Sequence, residues 1–436
     1  MKKGYGLMKL TASVSTAILT AGILCGTTVF AADSDTEYLL ITQSQEFSQQ
    51  DQSNSQYIYE YTYEINEDGS ARKKYGIQSV LNMLYEGSCS VSLHTYEYDS
   101  DGTLGKENLY DSGQQTGYIL YEYDSDGNLT EADTYDEDGG LYQALFYEYD
   151  QDGNMTQEAV YLYSELSHSF CYEYDSDGNI ISYIYYDSEG SAVSENTYEY
   201  NQDGELTSLI TYDSEGNATE AEYVYEYDED GKVTKRSGMT DGVLGIEEEF
   251  DEGGNLTKIT NYTSGGEVLR IFSSVYMSVE DYASSLESSQ EFDSYEEVVE
   301  ETLNAAFQLD AERIWNMMPE DLLIALMEVN DISKETLIEQ LSDEIEISLD
   351  KSLKNIFWEY CEPSWDITAE EEYTSEELEA LTSELGEYPQ IAIEKALRLE
   401  TEVTVTPDEG EAGTAIITVS AALIDGSWYS LGLEFN

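Results

Sequence analysis

Apolar and polar residues alternate with a period of two through much of the chain as far as Tyr276, and one short string keeps returning inside that alternation. In Tyr118-Ile119-Leu120-Tyr121-Glu122-Tyr123, the residues Ile119, Tyr121 and Tyr123 share one face of an extended strand. Asp124-Ser125-Asp126-Gly127 follows and carries turn chemistry: Asp accepts bonds from nearby backbone, and Gly takes the positive φ of a tight hairpin. A second strand, Asn128 to Tyr135, leads to another turn at Asp136-Glu137-Asp138-Gly139-Gly140. Each period is therefore one β-hairpin. Copies of the string begin at Tyr96, Tyr121, Tyr147, Tyr172, Tyr198 and Tyr225, 25 to 27 residues apart. A fixed period of this length predicts a repeat array whose hairpins pair in sequence as an antiparallel meander.

The array spans residues 57–276. Tyr57 to Tyr63 opens it with a degenerate copy ending at Asp68-Gly69, and residues 70–95 diverge, with apolar Val80 to Leu84 read as a short insertion. It decays through Phe250-Asp251-Glu252-Gly253-Gly254-Asn255 and Tyr262-Thr263-Ser264-Gly265-Gly266, as expected of units that cap a stack.

From about Val279 the period changes to 3.6. Val298, Val299, Leu303 and Phe307 mark one helix face, and Ala311 to Met318 a second helix. Pro319 suits the first turn of a third, carrying Leu322, Leu323 and Leu326. Ser333 can cap a fourth with Leu337, Leu341 and Ile345, Thr374 to Glu377 forms a capping box, and Gly386 is a stop. Alternation then returns at Leu397 to Val405, Ala415 to Leu423 and Ser427 to Tyr429, with turns at Pro407 to Gly413 and Asp425-Gly426. Residues 277–436 thus read as an α+β domain. The fold class is mainly β: a repetitive antiparallel hairpin meander plus a C-terminal α+β domain.

Residues 1–32 read as a secretory signal: Lys2, Lys3 and Lys9, an apolar run from Leu10 to Phe30, and a small-x-small site at Val29-Phe30-Ala31. Cys25 lacks the small residue expected just before a lipidated Cys. Residues 33–56 form a loose polar lead-in. No later stretch is long and apolar enough to span a bilayer, so the expected location is secreted or cell surface, with no transmembrane segment in the mature chain. Cys89, Cys171 and Cys361 then remain, an odd number without a CxxC pair, so unpaired thiols are expected.

The formal net charge is -74, and no Lys or Arg stands between Lys106 and Lys232. Such a field excludes nucleic acid and anionic lipid as partners. It does not signal disorder, because the acids alternate with Tyr, Ile, Leu and Val at strand period.

The string Tyr-x-Tyr-Asp-x-x-Gly, followed by a polar and an aliphatic residue, resembles the YD repeats of the Rhs and teneurin class over about Tyr57 to Tyr276. That resemblance implies a non-catalytic, surface-exposed β-repeat array in contact with carbohydrate or cell surfaces. Where the family places Arg after the Gly, this chain has Thr103, Asn128, Asn154, Asn179, Glu205 and Lys232. The motif that ends Rhs cores ahead of a toxin is absent. Ala311 to Pro319 together with Ile416 to Val419 and Asp425 to Tyr429 resemble the nuclear-transport-factor-like (cystatin-like) domains of exported Gram-positive proteins, which implies a binding or scaffolding unit.

The candidate ligand-binding residues are the tyrosine pairs Tyr121/Tyr123, Tyr147/Tyr149, Tyr172/Tyr174 and Tyr198/Tyr200. As structure, they form ladders that hold the meander together; as function, they form an aromatic face for sugar rings. Catalytic motifs (GxSxG, HExxH, a P-loop, GxGxxG) are absent, and no carboxylate pair stands out among so many acids. No catalytic residue and no enzyme activity are expected. No metal site is expected either, since His94 and His168 lie alone and Gly127 follows Asp124 at the wrong spacing for a calcium loop. No cofactor follows; stacked acidic turns would at most gather divalent cations weakly and diffusely. The four Trp residues read as core of the last domain. The chain reads as a non-catalytic, adhesin-like binding protein whose array contacts glycan or a cell-surface protein. The alternative is an acidic spacer that displays the C-terminal domain, with an Rhs-like toxin carrier or enzyme behind it.

Overall fold

The computed structural model describes residues 38–47, 55–66, 69–82, 89–287, 292–353, 363–383, 392–406 and 412–435. The signal segment, Trp358, Cys361, Gly386 and most of the turn after Pro407 lie outside the described residues.

Eighteen strands make one sheet. They are β1 (Tyr38–Phe47), β2 (Ser55–Ile65), β3 (Ala71–Asn82), β4 (Cys89–Tyr98), β5 (Leu104–Asp111), β6 (Gln114–Tyr123), β7 (Leu129–Asp136), β8 (Leu141–Tyr149) and β9 (Met155–Leu162). The second half is β10 (Glu165–Tyr174), β11 (Ile180–Asp187), β12 (Ala192–Tyr200), β13 (Leu206–Asp213), β14 (Ala218–Tyr227), β15 (Val233–Thr240), β16 (Val243–Phe250), β17 (Leu256–Tyr262) and β18 (Val268–Ser278). From β2 to β18 each strand pairs antiparallel with the next, as the repeat predicts. β1 pairs with β18 from Tyr38↔Ser278 to Phe47↔Arg270 and with β2 from Thr42↔Glu60 to Gln45↔Tyr57. The meander is therefore closed into an antiparallel barrel.

Two sequence expectations give way here. The lead-in is not loose between Tyr38 and Phe47, because that stretch supplies the closing strand. Its alternation is weak, and Leu39 is buried against Tyr63 and Tyr282, contacts invisible in the local pattern. Val80 is no insertion: it continues β3 and pairs with Tyr57 and Ser90.

The remaining elements are α1 (Val279–Glu287), α2 (Tyr295–Phe307), α3 (Ala311–Asn316), α4 (Glu320–Asn330), α5 (Lys334–Ser352), β19 (Pro363–Glu372), α6 (Ser375–Ser383), β20 (Lys395–Val405), β21 (Gly413–Ile424) and β22 (Ser427–Phe435). Ser333 caps α5 by accepting from the Thr336 N–H, and Thr374 and Glu377 cap α6 reciprocally. Pro319 is the N-cap of α4, one place before the first turn expected for it. β19 to β22 form a second antiparallel sheet, with β19 unheralded by the sequence pattern. The core of this part joins Val298, Leu303, Ile314, Leu349, Leu399 and Ile417, with Trp365 and Trp428 packed on it.

This α+β part docks on the barrel over β2 to β5. Tyr75, Ile77, Val91 and Leu93 bury against Trp315, Leu323, Ile324 and Met327. Lys74 Nζ lies 2.8 Å from Glu320 and 3.0 Å from Asp321, and the Gly113 N–H donates to Glu328. Eighteen strands about 4.8 Å apart and tilted about 40° close into a ring roughly 35 Å across. A domain of this length is about as wide as that ring, so it sits outside the wall. The face bearing Tyr75 and Leu93 is then the outer one. Direct cross-strand pairs carry that assignment round the ring and place the face of Tyr96, Tyr121 and Tyr147 inward.

The outer wall presents exposed Glu122, Glu148, Glu173, Glu199 and Glu226 to water. Such a row is unlike the apolar belt of a membrane barrel. No helix among the described residues is long and apolar enough to cross a membrane.

Leu93 is fully buried between the wall and the helices. Leu93→Ala should cost about 2–5 kcal/mol, read as a lower urea midpoint.

Candidate binding grooves at one rim of the barrel

The repeat string builds one rim of the barrel. Asp124 Oδ1 accepts from the N–H groups of Asp126 and Asn128, each at 2.9 Å, while Oδ2 accepts from the Asn128 side chain at 2.9 Å. Gly127 closes the turn at φ +85°, with nothing within 4 Å of where a Cβ would stand. The same bonds recur at Asp150 and Asp175 on this rim, and at Asp213 on the opposite one. The side chain of Asn128 first, and its backbone N–H second, hold the Asp124 carboxyl below the usual carboxylate range. One carboxylate thus replaces the backbone partners that the bend cannot supply.

Just before each such turn the strand register shifts, between Glu122 and Tyr123, Glu148 and Tyr149, Glu173 and Tyr174, and Glu199 and Tyr200. The extra residue of each bulge stands on the following strand, at Thr130, Thr156, Ile181 and Thr207, while the second tyrosine keeps the face of the first. Tyr149 Oη donates to the Leu129 carbonyl at 2.8 Å, Tyr174 to Met155 at 2.7 Å and Tyr200 to Ile180 at 2.8 Å. Each ring thereby ties its own hairpin to the first residue of a strand in the preceding repeat. Burial, then the charges of Asp124 and Glu158, push the Tyr149 hydroxyl up to about 12, so it stays a donor.

All eight candidate tyrosines lie on the inner face, none of them exposed. Tyr121, Tyr172 and Tyr198 are buried, and Tyr123, Tyr147, Tyr149, Tyr174 and Tyr200 are half-buried. Tyr121 and Tyr123 pack with Tyr147 in one cluster; Tyr172, Tyr174, Tyr198 and Tyr200 pack in another. Two open grooves run between neighbouring turns. One, of about 710 Å³, has Tyr147 and Tyr149 as its floor and Asp126 and Asp152 at its lips. The other, of about 450 Å³, repeats the design with Tyr198, Tyr200, Asp177 and Asp203. The remaining four candidates line neither groove.

The inner wall also gathers charges that the sequence reading passed over. Glu107, 1 % exposed, accepts from Tyr121 Oη at 2.5 Å and meets His94 Nδ1 at 2.6 Å. Burial would raise its carboxyl, but His94, the Tyr121 bond and the Lys73 charge together lower it. Lys73 Nζ lies 3.9 Å from the centre of the Tyr61 ring, and burial lowers its amine to about 8 against the opposing pull of Glu107. Arg236 holds Glu248 by two bonds, at 2.5 and 2.7 Å. A signal was present: Lys106-Glu107 and Lys235-Arg236 put charges at successive strand positions, so one of each pair must face inward. Among the described residues no group of three His, Cys, Asp or Glu side chains could hold a metal ion. Cys171 is a free, half-buried thiol.

No family model matches the chain, and no curated protein matches it. Among solved structures it is similar to a TcdB2-TccC3-Cdc42 complex, at 15% identity and a TM-score of 0.24, over 50% of this chain and 14% of that one. The Photorhabdus luminescens Tc holotoxin pore matches at 14% identity and a TM-score of 0.23, over 48% of this chain and 15% of that one. A porin-like protein from Bacteroides uniformis matches at 13% identity and a TM-score of 0.28, over 56% of this chain and 98% of that one. These neighbours include large β-barrels and toxin components, and at such TM-scores they carry no functional argument.

Two outcomes follow from the geometry. Tyr149→Phe keeps the ring and removes one bond, so it should cost about 0.5–1.5 kcal/mol by urea denaturation. Burial raises the Glu158 carboxyl to about 7. A raised acid contributes stability that is full below its unfolded value near 4.5 and is lost as pH rises through about 7. Tyr147 and Tyr149 face it from β8, and His168 and Tyr172 lie on β10; burial lowers the His168 imidazole. Glu158→Gln should therefore gain thermal stability relative to the parent as pH rises from about 4.5 to 7.

Proposed function

We propose that this is an exported, non-catalytic binding protein that takes glycan in the grooves between successive turns of one barrel rim. The observation behind this reading is that the same groove recurs: a Tyr-x-Tyr floor and paired acidic lips, at residues 124–153 and again at 175–204. A tyrosine offers a sugar ring an apolar edge and a hydroxyl, while carboxylates at the lips accept from sugar hydroxyls. Repetition around a rim lets weak single contacts add through effective concentration. The carboxylates of Asp124 and Asp150 are occupied by their own turns, so Asp126, Asp152 and Glu148 are the carboxylates left for a ligand in the first groove.

A second reading rests on a different observation. The α+β part is fastened to the outer wall by an apolar patch and by Lys74 with Glu320 and Asp321. A rigid acidic spacer that displays a second domain would be built that way.

Retention of the full-length mature protein on insoluble polysaccharides separates the two. Asp126→Asn with Asp152→Asn should lower retention, and adding Asp177→Asn with Asp203→Asn should lower it further. Unfolding free energy should stay within about 0.5 kcal/mol, since the changes are exposed. Unchanged retention in the fourfold variant would remove the groove reading and leave the spacer.

A further inference from the structure

Away from the hairpin turns, three carboxylates among the described residues face the inside of the barrel: Glu107, Glu158 and Glu248. Glu107 is matched by His94, with Lys73 nearby, and Glu248 by Arg236. Glu158 stands apart. No Lys or Arg occurs from residue 107 to 231, so neither its own strand nor the five strands after it and three before it carry a fixed cation. Its direct cross-strand neighbours are aromatic on both sides, Tyr147 on β8 and Phe170 on β10. Such pairs stand about 4.5–5.5 Å apart at Cβ. Tyr172 and Tyr183, rings 5.3 Å apart, continue the aromatic wall, and Phe170 stacks on Tyr183 at 5.5 Å. Glu158 is half-buried, so it is partly desolvated and still open to the lumen.

We propose that Glu158, walled by Tyr147, Phe170 and Tyr172, forms a binding site for an organic ammonium ion on the inner face of the barrel. One carboxylate supplies the counter-charge, and the Tyr147 ring across from it supplies the cation–π surface that such ions prefer when desolvated, while Phe170, stacked between Tyr183 and Tyr185, closes the wall. A calcium or magnesium ion is a poor occupant, because it needs six or more oxygens or keeps its water, and aromatic walls replace neither. The charged side chain is costly in the empty protein, and a bound ammonium would offset that cost as Arg236 does at Glu248. The site does not depend on ligand capture at the rim.

Isothermal titration of the full-length mature protein with tetramethylammonium tests this, with tert-butanol as the neutral isostere. At pH about 8 the ion should bind saturably and the alcohol should not, and Glu158→Gln and Tyr147→Leu should each weaken binding about tenfold or more. Affinity should fall as pH drops from about 8 to 5.5, because Glu158 takes up a proton. The fourfold rim variant (Asp126, Asp152, Asp177 and Asp203 to Asn) should bind the ion unchanged, so failure at the rim and failure here are separable. Equal binding by Glu158→Gln, equal binding of the alcohol, or no saturable binding of the ion would overturn the site. Glu158→Gln is expected to fold, since it removes a desolvated charge.

Discussion

A strand in a sheet has two hydrogen-bonding edges, and a meander of hairpins always leaves two of them over, one at each end. The rest of this molecule depends on how those edges are met. β1 lies between β2 and β18 and satisfies both. Its pairing with β18 runs its whole length, whereas its pairing with β2 covers only Thr42 to Gln45. The half of β2 left over is closed by other means: the Tyr63 N–H donates to Tyr282 Oη at 2.8 Å, and Tyr63 Oη donates to the Leu40 carbonyl at 2.7 Å. Closure is thus completed by one side chain from α1, immediately after the last strand.

Once the ring is closed, the two faces of the same repeat acquire opposite environments. The tyrosines crowd on the concave side, where rings stack and bury one another, as Phe170 does between Tyr183 and Tyr185. The glutamates between them point to water. In the barrel the negative charge is tolerable because most of its carboxylates lie on the outer wall and on the turns, where solvent and counterions screen them. Inside, among the described residues away from the turns, carboxylates are three: Arg236 pairs with Glu248, and His94 and Tyr121 hydrogen-bond to Glu107. The third is surrounded by rings, which is the reason a ligand becomes the natural complement.

The repeat also explains why the rim carries the grooves. Asp-x-Asp-Gly, with Asn201 for the first Asp in one copy, gives successive turns of this rim the same bonds, and the second tyrosines of three copies donate back to carbonyls of the previous repeat. Neighbouring turns are then held apart by the width of a hairpin, with tyrosine between them. Structure and candidate binding surface come from the same residues, so substitutions there must separate lost capture from lost folding.

The hairpins, their order, the turn chemistry, the 3.6-residue period after Val279 and the caps at Ser333 and Thr374 were all legible in the chain, because each depends on residues within a few positions of one another. The shared face of the eight tyrosines was legible too, since alternation is a local property of a strand. Whether that face looked inward was not, because curvature belongs to eighteen strands together. Neither the closing role of Tyr38 to Phe47 nor the burial of Glu107 could be read locally. Both depend on partners distant in sequence, Tyr276 to Arg270 for the one and His94, Tyr121 and Lys73 for the other. Local chemistry determined the repeat; only closure decided which of its faces would be concave, crowded and poor in water.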